Sequence, residues 1–92
     1  MEDVRLFTEW CVRMSKEAIR RYIERYYGLE VVKVENDVVT IRIPPELAYQ
    51  VCHPELAGKV IHCRKGEAIP CDLYKLYSIK DCVRLSILLS ML

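Results

Sequence analysis

Apolar residues recur at spacings of three and four from Asp3 to Tyr27, after which the period shortens to two. Phe7, Trp10, Cys11, Met14, Ala18, Tyr22 and Tyr26 would share one side of a helix, with Val12, Ile19 and Ile23 widening it. No proline or glycine interrupts this stretch before Gly28, so the pattern predicts one long amphipathic helix with Gly28 as its C-cap. Glu9 with Arg13 and Glu17 with Arg21 stand four apart in the favourable order and place weak ion pairs on the outer side. At about 1.5 Å per residue such a helix outruns so small a globule, and part of its wide apolar side is expected to meet a second chain.

The period of two belongs to EVVKVENDVVTIRI, where alternating runs flank Asn36-Asp37, residues that tolerate the positive φ of a tight turn. Pairing Glu35 with Val38 sets Val34 opposite Val39 and Val32 opposite Ile41 on one face, and Lys33 opposite Thr40 on the other. Pro44-Pro45 then ends the strand and opens a short helix to about Val51. The pattern P-E-L-A-x-x-V occurs from Pro45 and again from Pro54, which is too little for a repeat architecture. Residues 59–64 and 67–71 flank Lys65-Gly66 and suggest a second hairpin, its last strand at an edge because Pro70 cannot donate to a ladder. Ser78 with Asp81 forms a loose capping box ahead of a final helix. From Leu85 to Leu92 that helix is apolar except for two serines, so it is buried either centrally or against another chain. The resulting order is α-ββ-α-ββ-α: a single α+β domain over residues 1–92. Its mainly antiparallel sheet packs against a long N-terminal helix and an apolar C-terminal helix.

Composition and charge adjust this picture in four places. Apolar residues make up 52% of the 92 and charged residues 29%, a globular balance, yet a chain this short is only marginally stable without a partner, a crosslink or a metal. A net charge of +1 supplies no basic arm for a polyanion. The acidic start and the absence of a long apolar run point to a cytoplasmic protein that does not enter membranes. Asparagine and glutamine occur once each, a bias that suggests a thermophile, where intracellular disulfides are permitted.

Residues 51–71, VCHPELAGKVIHCRKGEAIPC, hold three of the five cysteines and both histidines. The spacing lacks the paired ligands of a structural zinc site, and neighbours on a strand point to opposite faces, which leaves His53, His62 and Cys71 as the candidate ligand set. A disulfide fits better: a three-residue loop at Gly66 to Ala68 would bring Cys63 opposite Cys71, within bridging range. Cys52 with either of these, or Cys11 with Cys82 between the terminal helices, are further pairs; one bridge would contribute about 3 to 4 kcal/mol. Buried free thiols are the competing reading. No Cys-His pair with an orienting third group, no coupled carboxylates and no phosphate-cradling glycine loop is present, so neither an enzyme nor a cofactor is indicated. RRYIERYYG mixes arginine with tyrosine and makes Arg20, Arg21 and Arg25, joined by Arg64 and Lys65, candidates for gripping nucleic acid, although an ordinary amphipathic surface explains them too. The expected function is therefore a non-enzymatic interaction protein, a homodimer or subunit joined through the first and last helices. The alternatives are a small nucleic-acid-binding regulator and a zinc or redox module around Cys52 to Cys71.

Overall fold

A computed structural model describes the backbone of residues 2–92 and the side chains from Val4 onward. Two helices lead, α1 (Glu2–Val12) and α2 (Lys16–Tyr22), the second running into a π-helical turn at Ile23–Tyr27. Strands β1 (Glu30–Glu35) and β2 (Val38–Arg42), helix α3 (Pro45–Gln50), strand β3 (Val60–Arg64) and helix α4 (Ile79–Ser90) follow, with 3₁₀ turns at Pro54–Leu56 and Cys71–Lys75. The strands form an antiparallel sheet in the order β1-β2-β3, giving a small α+β domain.

The predicted single helix is two. The end of α1 tightens, with the Arg13 and Met14 amides donating to the Trp10 and Cys11 carbonyls, and Ser15 then takes an extended conformation. Its Oγ accepts the Ala18 amide at 3.1 Å, satisfying one of the unpaired donors at the start of α2. Apolar spacings of three and four continue on both sides of the break, so periodicity alone passes over it.

The π-helical turn makes a second change. Its wider i→i+5 winding turns less per residue and brings Tyr27 into line with Ile19 and Ile23 in the core, leaving Tyr26 outside. Gly28 then ends the segment at φ +74°, in the left-handed region expected of a glycine cap.

The first hairpin keeps the predicted pairs Glu35 with Val38, Val34 with Val39 and Lys33 with Thr40. Val31, not Val32, meets Ile41, because a bulge inserts Val32 as an extra residue and turns Val31 into the core. No second hairpin forms. After β3 the chain does turn back, since Arg64 pairs with Glu67 at one end of the strand and Lys59 with Asp72 at the other. It returns without a ladder: Pro70 has no amide to donate, and Cys71 already belongs to a 3₁₀ turn. Cys63 consequently lies opposite Val39 on β2.

In α4, Ser78 Oγ accepts the Asp81 amide as the capping box requires. Cys82, Leu85, Leu88 and Leu89 are buried in the chain's own core, as is Leu92 just beyond the helix. The central option is realised, and these leucines no longer call for a second chain. Among the described residues no helix is long and apolar enough to cross a membrane.

Candidate interaction surface

With Ile19, Ile23 and Tyr27 turned inward, α1 and α2 leave a row of rings on their other side. Trp10 meets Phe7 with centroids 5.6 Å apart and Tyr22 edge-on at 5.3 Å, and Tyr22 stacks on Tyr26 at 5.1 Å and 11°. Leu6, Trp10 and Tyr26 are 62%, 44% and 57% exposed, high values for side chains of this size and apolarity. The inner end of the row is locked: Tyr27 hydroxyl donates to the Asp81 carbonyl at 3.0 Å, and Tyr77 hydroxyl donates to the Tyr27 carbonyl. Burial pushes both phenols well above their ordinary range, so they stay neutral and tie the π-helical turn to the start of α4.

Two adjoining clefts share Tyr22. One of about 490 Å³ is lined by Met14, Ala18, Arg21, Tyr22, Arg25 and Tyr26, the other of about 370 Å³ by Leu6, Phe7, Trp10, Tyr22 and Arg84. Arg84 lies over the Phe7 ring at 5.4 Å, a cation–π distance. Among the described residues three arginines and no carboxylate line the pair of clefts.

No family model matches the chain, and no curated protein or solved structure matches it. The reading of this surface therefore rests on its own chemistry.

The five basic residues singled out as nucleic-acid candidates do not share one face. Arg21 and Arg25 border the larger cleft, whereas Arg20 donates to the Val31 carbonyl at 3.0 Å and thereby caps the bulged edge of β1. Arg64 is paired with Asp37 and Glu67 near the tip of the first hairpin, and the Lys65 amide donates to Asp37 there. Leu6, Trp10 and Arg84 belong to the surface although sequence reasoning did not select them as site residues. Only the exposure of Trp10 and the break at Ser15 would have signalled it.

All five cysteines are free. The expected bridge between Cys63 and Cys71 depended on the missing hairpin, and neither Cys52 nor the pair Cys11 and Cys82 is bonded. Cys11, Cys63 and Cys82 are buried, which pushes each thiol up, Cys63 to about 11, and makes them poor nucleophiles at neutral pH. His62 Nδ1 lies 3.0 Å from Thr40 Oγ1 on the open face of the sheet, and His53 Nδ1 lies 2.9 Å from Glu55. The described residues contain no cluster of three metal-ligating side chains, so His53, His62 and Cys71 are not brought together. Thiol labelling of the native protein should modify Cys52 and Cys71 rapidly and leave Cys11, Cys63 and Cys82 until the chain unfolds. Rapid labelling of all five would mean that the core opens far more readily than its packing implies.

Proposed function

We propose that this protein is a non-enzymatic interaction module, a subunit that docks a protein partner on the face built by α1, α2 and the π-helical turn. The carrying observation is the exposure of Leu6, Trp10 and Tyr26 around two clefts edged by arginine. Tryptophan, tyrosine and arginine are the residues that dominate interface energetics. The raised pKa values of Cys11, Cys63 and Cys82 speak against these buried thiols as nucleophiles. The scarcity of asparagine and glutamine supports a thermophilic source.

Native mass spectrometry of the protein isolated at its natural level from its own cells tests this. The wild type should carry a stoichiometric second subunit, identical or different, that is lost in the double variant Leu6→Glu, Tyr26→Glu. An unaccompanied monomer in both would end the proposal. A second reading, single-stranded nucleic-acid binding, is favoured by one observation: Arg25 has no hydrogen-bond or ion-pair partner among the described residues and borders the same cleft as the exposed Tyr26 ring. Salt-sensitive retention on a polyphosphate resin, lost in Arg25→Glu, would support that reading instead.

A further inference from the structure

Resting on the docking proposal, we infer the chemistry of the occupant: an acidic, amphipathic segment of a different protein, not a second copy of this chain. Three observations lead there. The two clefts bring Arg21, Arg25 and Arg84 to one apolar surface with no carboxylate among the described lining residues. Arg25 has no partner among the described residues, and the ion pair of Arg21 with Glu17 at 3.8 Å is exposed on both sides and contributes little. This leaves guanidinium groups whose donors a partner's carboxylates can take up in bidentate fashion.

The second observation concerns symmetry. A two-fold dimer presents the same patch from both sides, so self-association through this face would bring Arg21 and Arg25 of both copies into one interface, with no acid among the described lining residues of the clefts. Like charges so opposed disfavour that assembly and leave a foreign acidic surface as the complementary one.

The third is the aliphatic part of the face. Leu6 and Met14 stand beside the rings, one in each cleft. A polynucleotide can stack on Trp10 and Tyr26 but offers Leu6 and Met14 only sugar carbons and isolated base methyls, not a flexible apolar side chain. A peptide can place one apolar side chain on each side of Tyr22 while its carboxylates reach the arginines.

Trp10 is the chain's one tryptophan and lines the smaller cleft, so its fluorescence reports occupancy directly. The probes are a short helical peptide of leucine and glutamate, the same peptide with lysine replacing glutamate, and oligothymidylate, each titrated against the full chain. The leucine–glutamate peptide should move Trp10 emission to shorter wavelength, saturably and more weakly as salt rises, while the lysine peptide does not. The double variant Arg21→Glu, Arg25→Glu should weaken the first peptide by about tenfold or more and gain affinity for the lysine peptide, a reversal that misfolding cannot produce. An equal response to both peptides, unchanged in that variant, would overturn the acidic partner while leaving the docking surface standing. A response to oligothymidylate alone would overturn both in favour of nucleic acid. No response to any probe would overturn both outright.

Discussion

Replacing Tyr27 with alanine is expected to destabilise the fold by about 3 to 5 kcal/mol, the range for removing a large buried ring. Tyr27 is 2% exposed and packs edge-on against Tyr26 at 5.0 Å and Tyr77 at 5.1 Å. Its hydroxyl and its carbonyl each close a link, the first to Asp81 and the second to Tyr77, so the substitution opens a cavity where the π-helical turn meets the start of α4. Small domains have about 5 to 15 kcal/mol in total, so such a loss removes a large part of the stability. Tyr27→Phe keeps the ring and loses one hydrogen bond, with an expected cost of about 1 kcal/mol. Tyr26→Ala, at a half-exposed position, should cost less than Tyr27→Ala by a wide margin. Urea denaturation of the three variants gives the order directly. A Tyr26→Ala chain less stable than Tyr27→Ala would mean that the helix runs on without the π-helical turn and that the rows are exchanged.

That exchange marks where the sequence stops being readable. The first hairpin was legible because alternation and the Asn36-Asp37 turn are both local and agree in register. Its one error has a visible source: Val31 and Val32 are adjacent and equally apolar, and which of them turns inward is decided by the core, through a bulge that no local rule demands. The break between α1 and α2 had a local signal in Ser15, masked by apolar spacings that suit both helices. For the second hairpin the return of the chain was legible but the ladder was not, because Pro70 and the 3₁₀ turn at Cys71 remove it. The expected disulfide failed with it. The candidate surface divides in the same way. Arg21 and Arg25 were picked out from the sequence, but spacing set Tyr26 on the core side of the helix, and only the π-helical turn leaves it outside. Leu6, Trp10 and Arg84 join them only through the packing of α1 and α4 on α2, contacts that local pattern does not encode.

Raising the pH from 9 to 11 should remove about 2 kcal/mol of stability through Cys63 alone. Burial on β3 opposite Val39 lifts its thiol from an ordinary 9.0 to about 11, so the folded chain holds that proton after the unfolded chain has released it. The contribution is complete below pH 9 and disappears as the pH rises through 11. Cys11 and Cys82 shift in the same direction by burial, and the phenols of Tyr27 and Tyr77 extend the loss upward from pH 10. Among the described residues the acid limb has no comparable source. The Glu55 carboxyl is lowered by its own backbone amide and by His53, and that of Asp72 by Lys59, but both are solvated, so protonating them changes little. The stability profile should therefore fall gently towards acid and steeply towards alkali. Urea denaturation across this range, repeated on Cys63→Val, isolates the thiol, since valine occupies the buried site without a proton to lose. The variant should make the fall between pH 9 and 11 shallower by the share of Cys63 and leave that of Cys11 and Cys82 and, from pH 10 upward, of the buried tyrosines. An unchanged slope between 9 and 11 would show that Cys63 is solvated in the folded chain and that the inner face of β3 is open to water.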